Sequence, residues 1–252
     1  MHLAASISVP ESMKKPEKYY NNNVVNLINL LNVCKETKIK HFIFSSTAAV
    51  YGNINKKTVS ENDIKVPTNI YGKTKLYGEE LVKHYSKTSQ YNYIILRYFN
   101  VIGSDSFGRS GPIINQGHLL GNILDSIFKK NFKINVYGNK YKTHDGTGIR
   151  DYIDVEDISN IHIKAYNLIK KNKKSYELNC GNSKGHSVLQ VIKNFEKYTK
   201  KNFLIKIKPP RSGDVGKIVC DNNFMKKKLG LNLKNKIIKS IENSINWRMK
   251  QN

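Results

Sequence analysis

From Pro16 onward the apolar positions Tyr20, Val24, Leu27, Leu31 and Cys34 recur at helical spacing. A helix over 16–38 is therefore predicted, with Pro16 suited to its first turn. His41-Phe42-Ile43-Phe44-Ser45 follows as a short apolar strand, and 53–69 reads as a loop. The pattern then predicts a helix over 71–87, a strand over 93–97, a helix over 115–130 and a strand over 134–137. Asp151-Tyr152-Ile153 leads into a helix through Ala165. A strand over 176–179, a helix over 188–200, a strand over 203–207 and a helix from Lys234 complete the chain. Strands alternating with helices predict a parallel, helix-covered sheet. The opening Met1-His2-Leu3-Ala4-Ala5 reads as the end of a buried strand, and no Gly-rich strand-to-helix turn of the GxGxxG kind occurs anywhere.

Composition narrows the classes. A chain of 252 residues with 39% hydrophobic positions can bury a sizeable core, which excludes global disorder. No apolar run reaches the ~18–20 residues needed to span a bilayer. Cys34, Cys180 and Cys220 lie far apart, which predicts neither a disulfide framework nor a metal site and suits a reducing, cytoplasmic compartment. The formal net charge is +24, carried by 38 Lys and only 5 Arg beside 31 Asn and 29 Ile. All three enriched residues have A/T-rich codons, and a dedicated phosphate-binding protein favours the bidentate Arg fork. Nucleic acid is therefore not expected as a partner, although a positive field would attract an anionic small substrate.

Two stretches carry candidate chemistry. Tyr71-Gly72-Lys73-Thr74-Lys75 opens the second helix, and i,i+4 spacing puts Tyr71 and Lys75 on one face. An ammonium beside a phenol favours the phenolate, predicting a lowered Tyr71 pKa and a general base for a hydroxyl proton. A second such pair, Tyr166 and Lys170, lies at a helix end without polar companions. Upstream of Tyr71, the strand 42–44 ends in Ser45, Ser46 and Thr47, then small residues. In open α/β sheets ligands sit beyond the carboxyl ends of the strands, so a hydroxyl there can share a substrate oxygen with Tyr71.

The ordered stretches FIFSSTAAVYG, IYGKTK, LRYFNVIG, DGTGIRDYIDVEDI and PPRSGD together resemble the UDP-glucose (galactose) 4-epimerases of the extended short-chain dehydrogenase/reductase family. The resemblance runs from His2 to about Trp247. It implies a Rossmann-like doubly wound parallel sheet, lacking its first half at the N-terminus, with a smaller C-terminal α/β substrate domain. The NAD-binding part would comprise 1–101 and 148–170, and the UDP-sugar part 102–147 and 171–252. With the first half missing, strand 41–45 would expose an edge and an apolar face.

By this resemblance Thr47, Tyr71 and Lys75 are catalytic. Leu3, Ala4, Ala5, Ser6, Ile7, Asn22, Ser45, Tyr71, Lys75 and Phe99 would line the NAD. Thr47, Tyr71, Asn100, His118, Leu119, Asn135, Val136, Tyr137, Arg150, Arg211, Asp214 and Ile218 would hold the substrate. Arg150 and Arg211 would take the diphosphate, Asp214 the uridine ribose and 135–137 the uracil, while Ile218 would bound the sugar pocket and favour sugars without an N-acetyl group. The implied reaction is reversible epimerisation at C4 of UDP-glucose and UDP-galactose through a transient 4-keto sugar. A homodimer is implied for the complete enzyme. The alternatives are a related nucleotide-sugar dehydratase or decarboxylase, which Ala48-Ala49 after Thr47 disfavours, and an inactive basic fragment with a binding role.

Overall fold

The computed structural model describes residues 1–112, 118–234 and 236–251. In chain order the helices are α1 (Val9–Lys14), α2 (Pro16–Tyr20), α3 (Asn26–Glu36), α4 (Ile70–Ser89), α5 (Leu119–Phe128), α6 (Val155–Asn172), α7 (Val188–Thr199), α8 (Asn223–Leu229) and α9 (Ile237–Met249). The strands are β1 (His41–Thr47), β2 (Asn92–Tyr98), β3 (Asn100–Ile102), β4 (Lys133–Tyr137), β5 (Ile149–Asp154), β6 (Tyr176–Cys180), β7 (Gly185–Ser187), β8 (Leu204–Lys208) and β9 (Lys217–Ile218).

Successive side chains of a strand point to opposite faces, and both faces of β1 are covered. Phe42 and Phe44 pack with Leu27, Leu31 and Val82 from α3 and α4. Ile43 packs on the other side with Ile94, Leu96, Ile161 and Ala165, beneath α6. β1 pairs in parallel with β2, and β2 with β6. Helices on both faces of a parallel sheet give the expected doubly wound arrangement. The apolar face that the sequence expects β1 to expose is thus absent, because the two helical layers suffice to bury it.

The opening residues depart from the buried strand predicted for them. Only His2 joins the ladder: its N–H donates to the Ile43 carbonyl at 2.8 Å, its carbonyl accepts from Ser45 N at 3.1 Å, and its ring stacks on Phe44. Leu3 is 60% exposed, since β1 covers the segment from one side only.

A second core gathers α5, α7, α9 and β4 around Ile123, Leu124, Ile134, Val191, Phe195 and Ile241. β4 pairs with β8, and β5 pairs with β3, β7 and β9. The division drawn from the sequence shifts here. β6 lies within 171–252, yet it pairs with β2 in the main sheet, and α8 packs there through Met225 and Leu229. The predicted helix over 115–130 is seen as α5; its first residues, 115–117, lie outside the described residues.

Candidate active site

Tyr71 is held by the start of α4. Asn69 is the N-cap, its side-chain oxygen accepting from Gly72 N at 2.8 Å, while Tyr71 N donates to Ser12 Oγ of α1 at 3.1 Å. Two of the helix's open backbone donors are satisfied in this way. Gly72 lets α4 approach the end of β1: a Cβ there would lie 2.5 Å from the Ala49 carbonyl oxygen. At that end Thr47 Oγ1 accepts from Ala49 N at 3.2 Å, starting a single turn over Ala48–Val50. The close approach brings the Tyr71 phenol under the influence of the Thr47 hydroxyl, which favours its ionised form.

The electrostatics differ from the lowered phenol pKa that the sequence predicts. Burial pushes the Tyr71 pKa up, and the Thr47 hydroxyl pulls it only partway back. Desolvating a phenolate outweighs the pull of one neutral hydroxyl. Lys75 is 3% exposed, and burial lowers its pKa to about 8 although Glu79 opposes the shift. Its Nζ lies 4.5 Å from the centre of the Phe44 ring and makes no hydrogen bond among the described residues.

Behind this pair lies a polar network that the sequence reading missed. Glu79 takes hydrogen bonds from Ser46 Oγ at 2.5 Å and from Arg97 Nε and Nη2 at 2.8 and 2.6 Å. Arg97 also bonds Glu177 and, at 3.0 Å, the Tyr51 hydroxyl. Arg97 and Glu79 are both fully buried. An Arg at the end of an apolar strand was the available signal, since buried charges are paired. Ser45 reaches Tyr98, whose hydroxyl meets His162 Nε2 at 2.7 Å.

The stretch Leu3–Ile7 is clamped at Ser6. Asn23 accepts from Ser6 N at 2.8 Å and donates to Ser6 O at 3.0 Å and to Thr74 Oγ1 at 3.1 Å. Asn22 is exposed and donates to Ser6 Oγ at 3.1 Å. Both asparagines sit in a π turn, Asn21–Val25, between α2 and α3. Such turns occur often at functional sites. The run Asn21-Asn22-Asn23 inside a helix was a legible sign, but only Asn22 was singled out. Ala4 is exposed and Ala5 half-buried; Ile7 is 42% exposed.

The residues expected on the substrate side form a second cluster. The Arg211 guanidinium lies 3.8 Å from the centre of the Tyr137 ring. Burial raises the Asp214 pKa while Arg150 and Arg211 oppose the rise, so the three charges face one another. Desolvation and then Arg211 lower the pKa of His118, the N-cap residue of α5. Tyr141, unremarked in the sequence, joins them: its phenol senses Asp214, Arg150 and Arg211. Ile218 is buried with Ala48, Val50, Tyr51 and Phe99, next to the end of β1. Asn100 and Asn135 are exposed. One of the proposed contacts, Val136, turns inward. Val136 is buried in the second core with Ile134, and Leu119 packs there too, because strand and helix periodicity assign those positions to the interior. The Val136 side chain is closed to a ligand, whereas Leu119 is half-buried. Tyr166 is exposed, with the Lys170 ammonium over its ring as a surface pair.

A hydroxyl, a phenol and a buried ammonium at the carboxyl end of a parallel strand, on a doubly wound sheet, define a Rossmann-type enzyme equipped to move a proton on a substrate hydroxyl. The model of the NAD dependent epimerase/dehydratase family matches residues 1–181, and the chain belongs to that family. It is similar to the UDP-glucose 4-epimerase of Lactobacillus helveticus, at 38% identity over 231 residues covering 91% of this chain and 70% of that protein. Among solved structures it resembles UDP-glucose 4-epimerase from Stenotrophomonas maltophila with bound NAD and formylated UDP-arabinopyranose. There the TM-score is 0.93 at 32% identity, over 99% of this chain and 75% of that one. The Bifidobacterium longum UDP-glucose 4-epimerase in complex with NAD+ and UDP gives a TM-score of 0.92 at 33% identity, over 99% and 75%.

Proposed function

We propose that the protein interconverts UDP-glucose and UDP-galactose by epimerisation at C4, with NAD as cofactor. The observation that carries this reading is the buried Lys75, one turn of α4 after Tyr71, whose ammonium has no hydrogen-bond partner among the described residues. That unfilled donor fits the ribose hydroxyls of a nicotinamide nucleotide, and Asn22, Ser6, Ser45 and Phe99 are among the residues that would line the cofactor. When bound, NAD supplies the two-electron oxidant for C4 and is regenerated at the end of turnover.

The chain's own residues handle the proton. Tyr71 accepts it from the C4 hydroxyl, and Thr47 hydrogen-bonds the same oxygen. The Lys75 charge stabilises the phenolate that burial disfavours. Arg150 and Arg211 grip the diphosphate as planar forks, and Asp214 accepts from the ribose. The nucleotide stays anchored while the 4-keto sugar turns its other face, and Tyr71 returns the proton to the product. Ile218, packed beside Ala48 and Phe99, limits space at the sugar.

No helix among the described residues is long and apolar enough to cross a membrane, and all three cysteines are free and buried. These features support a cytoplasmic reaction. A homodimer would use the outer sides of α3, the π turn before it and α4, where Val33, Val25 and Tyr77 are exposed; sedimentation equilibrium measures it.

The test is Tyr71→Phe with UDP-galactose and added NAD. Turnover falls by several orders of magnitude while UDP affinity stays within about threefold, and Tyr166→Phe changes neither. Near-full turnover in Tyr71→Phe would overturn the reading.

A further inference from the structure

The nucleotide cluster and the proton-transfer helix lie far apart in sequence, yet one carbonyl joins them. The loop carrying Arg211 and Asp214 passes through Gly213, whose φ of +82° turns its carbonyl toward the start of α4. Thr68 Oγ1 donates to that oxygen at 3.1 Å, and Asn69 Nδ2 donates to it at 3.2 Å. Asn69 is buried, and its other amide atom is the oxygen that caps Gly72 N at 2.8 Å. One side chain therefore holds the turn bearing Tyr71 and the loop bearing Arg211 and Asp214 at once. The fit is close: a Cβ on Gly213 would lie 2.8 Å from Asn69 Cβ.

We infer that Asn69, seconded by Thr68, is a positioning residue that sets the distance between the diphosphate grip and the Tyr71 phenol. This rests on the epimerase reading above. A nucleotide sugar is long, and its C4 hydroxyl reaches Tyr71 only if its two ends are held in register. A misplacement of about 1 Å can lower a rate about 100-fold. Neither Asn69 nor Thr68 needs to touch substrate for this. The grip could bind UDP without the tether, but the sugar would no longer be delivered to the base.

The test separates the tether from the cap. Ser is a good N-cap residue but too short to reach Gly213, so Asn69→Ser keeps the cap and loses one donor. Thr68→Val removes the other. In the double variant kcat falls at least tenfold while the dissociation constant of UDP stays within about threefold. Thr68→Ser alone, which keeps its hydroxyl, retains kcat within about twofold. A double variant with kcat within twofold of the parent protein overturns the inference. So does a parallel loss of kcat, UDP affinity and melting temperature, which would show a merely structural role.

A second measurement needs no turnover. In the parent protein, added UDP slows amide hydrogen exchange at Gly72–Lys75, although UDP lacks the sugar that meets Tyr71. In the double variant UDP binds without this protection. If UDP binds the parent protein and leaves α4 exchange unchanged, the tether inference fails, even in an active epimerase. If protection appears but no UDP-sugar is turned over, the epimerase reading fails while the tether stands.

Discussion

Replacing Lys75 by Met should stabilise the protein at neutral pH and remove its activity. Burial lowers the Lys75 pKa from 10.5 to about 8, which corresponds to a penalty of about 3 kcal/mol on the charged form. Met fills similar volume with no charge. It gives up the cation–π contact with Phe44, about 1 kcal/mol, and recovers part of it as a sulfur–aromatic contact. The net gain at pH 7 is about 2 kcal/mol, or roughly 4–8 °C in Tm for a chain of this size. The pH dependence has a definite sign. The folded lysine releases its proton near pH 8, whereas the unfolded chain holds it to about 10.5, so between these values the unfolded state binds more protons and stability rises with pH. The penalty is fully present below about pH 8 and shrinks to about 1 kcal/mol by pH 10. Thermal or urea melts of the parent protein and Lys75→Met, without nucleotide, at pH 7 and pH 10 measure both effects. A variant less stable than its parent at pH 7, or a stability gap that does not narrow at pH 10, refutes the reasoning.

Two further outcomes follow from close contacts. Gly72→Ala puts a methyl group 2.5 Å from the Ala49 carbonyl oxygen, so it should destabilise by about 1–3 kcal/mol and lower kcat by displacing Tyr71, as urea melts and turnover would show. Ile218→Ala should open the sugar side of the pocket and raise kcat/KM for N-acetylated UDP-sugars at least tenfold relative to UDP-galactose; an unchanged ratio in a coupled assay removes Ile218 from its gating role.

Much of the fold was legible because periodicity is a local property. The helices at 16–38 and 71–87 and the strands at 41–45 and 93–97 appear close to where apolar spacing puts them. The short elements β3, β7 and β9 were not legible, since two or three residues have no period and exist only through their partners on β5. The side to which β6 belongs was invisible for the same reason: pairing with β2 is a long-range choice. At the site, chemistry-bearing side chains could be named from motifs. Their supports could not, because Asn23, Asn69 and Glu79 act through hydrogen bonds to residues tens of positions away. The pKa of Tyr71 was misjudged for a related reason. Spacing shows that Lys75 shares its face, but not that burial acts more strongly on the phenol.

One turn of α4 shows how a structural charge differs from a functional one. Lys75 and Glu79 are four residues apart and both are buried. Glu79 is engaged at both oxygens: Ser46 donates to one oxygen, and the Arg97 fork spans both. With three of its roughly four acceptor sites taken by protein donors, Glu79 fixes α4 against β1 and β2. Lys75 is also buried, yet its ammonium lies over the Phe44 ring and makes no hydrogen bond among the described residues. An ammonium has three donors, and leaving them unmatched in a buried site is destabilising unless something else takes them. Glu79, held by Ser46 and Arg97, anchors the turn of α4 that follows Lys75. Under the proposed function, the unsatisfied end is where a nucleotide's hydroxyls would be met without first displacing a protein partner.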